Sequence, residues 1–219
     1  MESKVEDVLD KEAKKLPSSY FMVVIVFSLI QLALVSGLEE VGSVFFSTFL
    51  SKGTLGIGED VASYLCSFTA LTFTIGRLIN IFLTRSFPIK ALQAVYFVIL
   101  AVGYIFLNFL GTNSAHLIWF CVPLIGMGES PVYPLTLSFL EKRTNVTSTI
   151  QMANQVLGTA FAAIALFTIG KWLEKSTCLY VNVCLGFITL MLVVFVVLSL
   201  TDVWKKRLLR PQDRQVLVE

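Results

Sequence analysis

Charge is scarce in this chain. Only 15% of its 219 residues are Asp, Glu, Lys or Arg, while 56% are hydrophobic, and the mean hydropathy is +0.79. No soluble domain of this size needs so much apolar surface to fill one core, so a water-soluble globule is excluded and lipid is left as the solvent. Histidine is scarcer still. The one histidine, His116, stands at the end of an apolar segment, which denies an intramembrane serine protease the histidine it needs within a span. The four cysteines, Cys66, Cys121, Cys178 and Cys184, lie in or beside apolar segments, as small buried hydrophobes do. They form neither a disulfide framework nor a metal site. No basic domain with aromatic stacking positions is present, so nucleic acid is not a partner, and no pore loop or ring of charge marks a channel.

What the chain does have is long uncharged runs, such as Phe187 to Leu200. A hydrocarbon core of ~30 Å takes about 20 helical residues. Cutting at charged or Gly/Pro/Asn-rich breaks leaves six segments: Tyr20 to Leu50, Val61 to Thr84, Ile89 to Phe109, Leu117 to Leu140, Thr149 to Gly170 and Leu179 to Val203. None alternates with period two, and in lipid the backbone must satisfy itself, so the expected fold class is all-α membrane with six transmembrane helices. The expected organisation is a charged amino-terminal segment over 1–18, a six-helix domain over 19–203 and a basic tail over 204–219. Ser18 to Leu38 is uncharged throughout and long enough to span, so the first helix is read as retained and not cleaved as a signal peptide.

Orientation follows from the short loops. Lys4, Lys11, Lys14, Lys15, Arg85, Lys90, Lys142, Arg143, Lys205, Lys206, Arg207, Arg210 and Arg214 fall on one side, and only Lys52, Lys171 and Lys175 on the other. That asymmetry predicts both termini in the cytoplasm. It also places the Asn145-Val-Thr147 sequon in a cytoplasmic loop, where it has no glycosylating partner.

A carboxylate near mid-membrane costs at least ~2.5 kcal/mol, so each must face a partner or a wet cavity. Glu39 and Glu40 lie in the outer half of the first span and Glu129 at the centre of the fourth. At about 100° per residue, Ser36, Glu39, Glu40, Ser43 and Ser47 share an arc of roughly 100°, and Gly126, Glu129, Tyr133 and Thr136 one of roughly 80°. Pro131 and Pro134 remove backbone donors, which predicts a bend or interruption beside Glu129. The fifth span presents Gln151, Asn154, Gln155, Gly158 and Ala162 on one face, and the second presents Thr69, Thr72, Gly76 and Asn80. Amides and hydroxyls with few fixed charges suit a polyhydroxylated or zwitterionic solute. The competing structural roles are interfacial placement for Glu39 and Glu40, pairing of Glu129 with Arg77, and helix packing for the amides.

Between the second and third spans the chain reads Gly76-Arg77-Leu78-Ile79-Asn80-Ile81-Phe82-Leu83-Thr84-Arg85-Ser86-Phe87-Pro88. This resembles the Gly-Arg…Arg…Pro signature at the cytoplasmic turn between the second and third helices of each half of major facilitator superfamily transporters. With Gly37-Leu38-Glu39-Glu40 and Gly126-Met127-Gly128-Glu129-Ser130-Pro131, the chain is similar to the carboxyl-terminal half of that superfamily, nearest the fucose-permease and sodium-dependent glucose transporter-like group. The resemblance implies two inverted three-helix repeats, which the shared Gly-x-x-Glu spacing of Gly37 and Glu40 and of Gly126 and Glu129 fits.

The resemblance further implies secondary-active transport of a small polar solute, a sugar in that group, by alternating access. Solute contacts are then expected at Tyr133, Gln151, Asn154, Gln155 and Asn80, ion coupling at Glu39, Glu40 and Glu129, and a conformational turn at Gly76, Arg77 and Arg85. The coupling ion would be Na+ or H+, with no other cofactor. Expected partners are the solute, the lipid bilayer, in the plasma membrane, and a second six-helix half in a longer chain or as an oligomer. The alternative is a transport-incompetent membrane interaction protein.

Overall fold

In lipid, water cannot satisfy peptide groups, so an apolar run crosses as a helix that closes its own hydrogen bonds. The computed structural model describes residues 17–52, 56–109, 115–144, 148–173 and 178–208. Among these residues every regular element is helical: α1 Ser18–Lys52, α2 Glu59–Ser86, α3 Ile89–Phe109, α4 Ala115–Glu129, α5 Val132–Glu141, α6 Ser148–Leu173 and α7 Cys178–Leu208. Most of the segment expected over 1–18, most of the tail over 204–219 and the sequon at 145–147 lie outside the described residues.

Five helices, α1, α2, α3, α6 and α7, are long and apolar enough to cross a membrane, so this is a multi-pass membrane protein. The fourth expected span is two helices, α4 of 15 residues and α5 of 10. The break falls at Ser130-Pro131, where the prolines withdraw their N–H groups. The Ser130 N–H still reaches the Gly126 carbonyl at 3.3 Å, and the Leu135 N–H restarts the ladder on the Pro131 carbonyl at 3.1 Å.

The helices do not pack in chain order. α1 packs against α6 and α7, and α4 packs against α2 and α3. Glycine lets α4 fit between its neighbours on two faces. A Cβ on Gly126 would meet the Thr69 carbonyl at 2.8 Å, and one on Gly128 would meet the Leu100 backbone N at 2.7 Å. Both helices therefore approach at backbone distance, as small residues permit in membranes. This corrects the single arc expected for Gly126, Glu129, Tyr133 and Thr136. Gly126 faces α2, and Thr136 is buried, accepting a 2.9 Å hydrogen bond from Gln93 Nε2 of α3. The break removes the continuous 100° advance on which that arc depended.

One large apolar cluster runs from Leu34 to Leu198, and a small one of Tyr20, Val24 and Leu140 closes the end nearer the chain termini. At that end Asp202 of α7 accepts hydrogen bonds from Arg143 Nε at 3.0 Å and Nη2 at 2.5 Å, and also pairs with Lys90 of α3. Arg143 stacks on Phe139, 3.4 Å from the ring centroid, and donates to its carbonyl at 2.9 Å. Outward-facing Phe82, Phe120, Met152 and Phe167 are each at least 60% exposed; on a soluble protein this would be an unexplained apolar surface, and here it meets lipid.

Candidate functional site

The site begins with α1. Glu39 and Glu40 follow each other, so their side chains diverge by about 100°, and between them they border two cavities. The first, about 500 Å³, lies between α1, α2 and α4 and is lined by Ser43, Thr69, Phe73, Thr74 and Glu129 among others. The second, about 520 Å³, lies between α1, α2, α5 and α6, where Ser36, Arg77, Tyr133, Gln155 and Thr159 meet. Both volumes are those of small-molecule sites. Glu39 and Glu40 line both.

Hydroxyls in the first cavity have already spent their protons. Thr69 donates to the Leu65 carbonyl at 2.9 Å, Thr74 to Ala70 at 3.0 Å and Ser43 to Glu40 at 2.9 Å. A hydroxyl has one hydrogen, so each then faces the cavity as an acceptor. With Glu39, Glu40 and Glu129 alongside, the wall is rich in acceptors. Tyr104 and Tyr180 also line it, their hydroxyls 3.9 and 4.0 Å from where a Cβ on Gly42 would stand. Sequence reasoning missed both tyrosines, because they sit in apolar runs with no polar neighbour to single them out.

Arg77 stands 3.9 Å from Glu39 (Nη2 to Oε1) and stacks over Phe73, 4.6 Å from the centroid. Its side chain is 50% exposed. The pairing weighed for it in the sequence was with Glu129, but Arg77 reaches Glu39. Glu129 is 6% exposed, and its Oε1 has no hydrogen-bond partner among the described residues.

The other expected contacts divide. Asn154 is buried and donates to Tyr133 Oη at 2.7 Å, which ties α6 to α5. Gln155 and Tyr133 reach the second cavity, whereas Gln151 is exposed and lines neither cavity. Asn80 is buried, 5% exposed, and lines neither cavity, with its Oδ1 unpartnered among the described residues. Gly76 packs against the α4–α5 break. Arg85 is exposed in the last turn of α2, which stops at Ser86 before Phe87 and Pro88. No group of three His, Cys, Asp or Glu side chains positioned for a metal occurs among the described residues, and Cys66, Cys121 and Cys184 are free thiols.

No family model matches the chain, and no curated protein matches it. Among solved structures it is similar to the POT family transporter PepTSo, seen in its in meso crystal structure. The TM-score is 0.68 at 16% identity, covering 80% of this chain and 37% of that one. The chain thus spans a little over a third of the neighbour's length, and at this identity the likeness is one of fold: an all-helical membrane fold like that of this neighbour.

Proposed function

We propose that this chain is a six-helix unit of a secondary-active transporter that moves a small polar solute by alternating access. The observation that carries this reading is the Glu39–Glu40 pair, which borders both cavities at once with Arg77 close to one carboxylate. A carboxylate common to two cavities changes its surroundings whenever the helices between them shift, which is what coupling solute to ion requires. The acceptor-rich wall favours a solute that presents donors, such as a polyol, a sugar or an ammonium group, over an anion. A sugar agrees with the resemblance to the fucose-permease and sodium-dependent glucose transporter-like group.

The packing supports two inverted three-helix repeats, α1 to α3 and α4 to α7. The first helix of each packs against the last two spans of the other. In this reading the end carrying Asp202 faces the cytoplasm, both termini lie there, and the protein resides in the plasma membrane. A second six-helix unit, in a longer chain or as an oligomer, closes the open sides of the cavities. Gln155, Tyr133 and Asn154 contact or position the solute, while Glu39, Glu40 and Glu129 handle Na+ or H+. Gly76, Arg77 and Arg85 belong to the conformational turn.

The test is uptake of radiolabelled hexoses, polyols and amino acids into proteoliposomes, using the native gene product with Glu40→Gln and Glu129→Gln variants. Uptake of one class, lowered at least tenfold by either variant, is expected. Uptake unchanged in both would sink the coupling roles. Absence of uptake for every class would favour the alternative, a transport-incompetent membrane interaction protein.

A further inference from the structure

The cavity between α1, α2 and α4 has an unbalanced lining. Glu39, Glu40 and Glu129 all border it, and none of its described lining residues is Lys, Arg or His. Arg77 approaches Glu39, but it lines the other cavity. At 3.9 Å and half exposed, it offsets that one carboxylate weakly. Neither Glu40, which is exposed, nor Glu129, which is buried, is joined to a cation by an ion pair among the described residues.

Glu129 is the sharper signal. It is 6% exposed and lines the cavity, and its Oε1 has no hydrogen-bond partner among the described residues. A buried carboxylate oxygen without a partner is costly. One that borders a volume of about 500 Å³ is satisfied by what enters that volume.

The rest of the lining selects what enters. Phe46, Phe73, Tyr104 and Tyr180 line the same space, and the Phe46 and Tyr180 ring centroids lie 6.3 Å apart. Aromatic faces attract cations as well as apolar groups. Thr69, Thr74 and Ser43 commit their hydrogens to backbone carbonyls, so they accept and do not donate. A hexose presents hydroxyls on every side and needs donors as well as acceptors. A bare metal ion needs its ligands gathered at one point, and no three His, Cys, Asp or Glu are so grouped among the described residues. Carboxylates at separate points among aromatic rings fit a ligand that carries its positive charge on a larger apolar body.

We propose that this cavity binds an organic ammonium ion, an amine with an aromatic or alkyl body, whose charge Glu129 meets and whose body packs against Phe46 and Tyr180. The site rests on the transport reading only in making that amine the transported solute. It narrows the solute from polyols, sugars and ammonium compounds to the last of these.

Cys66 supplies a reporter within the site. It lines the same cavity as a half-buried free thiol, whereas Cys121 and Cys184 are buried. The experiment follows the rate at which neutral methyl methanethiosulfonate modifies Cys66 of the full chain in lipid nanodiscs, read by peptide mass mapping. Phenethylamine, an ammonium ion at neutral pH, is expected to slow the reaction severalfold and saturably. Phenethyl alcohol, of the same size and uncharged, and glucose are expected to leave the rate unchanged. Glu129→Gln is expected to remove most of the protection by phenethylamine while the unprotected rate stays as in the parent chain, which also reports that the variant is folded. No protection by phenethylamine, equal protection by phenethyl alcohol or glucose, or full protection in Glu129→Gln would overturn the site. Protection by phenethylamine without its uptake into proteoliposomes would leave the site standing and refute only the transport reading.

Discussion

Asn154 donates a 2.7 Å hydrogen bond to the hydroxyl of Tyr133, joining α6 to α5 one turn past the break that separates α5 from α4. Tyr133 lines the second cavity and Asn154 is buried, so one residue of the pair borders the cavity and the other holds it in place. Tyr133→Phe leaves a buried amide without its acceptor. A loss of about 1 kcal/mol is expected, read as a lower unfolding midpoint of the purified chain. Asn154→Asp is expected to retain more stability than Asn154→Leu, since a carboxyl oxygen can accept from the tyrosine hydroxyl.

Gly76→Ala and Gly128→Ala should both destabilise. Their new methyl groups would meet Ser130 Oγ at 2.6 Å and the Leu100 backbone at 2.7 Å, and overpacking of this kind costs about 1–3 kcal/mol. Gly186 of α7 has nothing within 4 Å of the same position, so Gly186→Ala gains helix propensity, about 0.5–1 kcal/mol, without a clash. Unfolding midpoints of the three variants check the contrast. A Gly76→Ala midpoint at or above that of Gly186→Ala would contradict the close approach of α2 to the break.

Asp202 joins α7 to Lys90 of α3 and to Arg143 just beyond α5. Asp202→Asn removes the charge that both cations share, and with hydrogen bonds to charged groups worth about 1.5–3 kcal/mol a marked loss of stability is expected. The companion Lys90→Met should cost less, because Lys90 is 34% exposed and Arg143 would keep its partner. A double-mutant cycle in which the two effects simply add would show that Lys90 and Asp202 are not coupled.

Arg77→Gln separates structural from functional charge. At 3.9 Å and 50% exposure, the Arg77–Glu39 pair contributes about 0–1 kcal/mol, so thermal stability should barely change. Uptake, measured in the same preparations, is expected to fall severalfold, because the carboxylate bordering both cavities loses its cation. A variant that transports normally would make Arg77 a bystander.

The legible part of this protein is what lipid imposes locally. Of six apolar runs, five are single helices long enough to span and the fourth is the broken pair α4 and α5; Pro131 with Pro134 marked that interruption beside Glu129, because a missing N–H is a property of the residue itself. Glu39, Glu40 and Glu129 were conspicuous because a carboxylate among apolar residues demands an explanation. Tyr104 and Tyr180 were invisible, since a tyrosine in an apolar run looks like any other core aromatic until packing brings it to a cavity. The Lys90–Arg143–Asp202 cluster was equally hidden. Its members are far apart in the chain, and loop arginines and lysines serve the charge rule whether or not they find an aspartate.

By itself, then, the sequence determined the solvent, the all-helical class and the position of the broken helix, all of which depend on hydropathy and on backbone donors that each residue carries with it. Tertiary structure alone decided which faces met. It turned Gly126 toward α2 and Gly128 toward α3, gave Arg77 to Glu39 and not to Glu129, and left Asn80 out of both cavity walls while bringing Tyr133 and Gln155 to one of them. Helical periodicity fixes which residues share a face of one unbroken helix. Which neighbour that face meets depends on packing between helices distant in the chain, and past the break at Ser130 the periodicity itself starts anew.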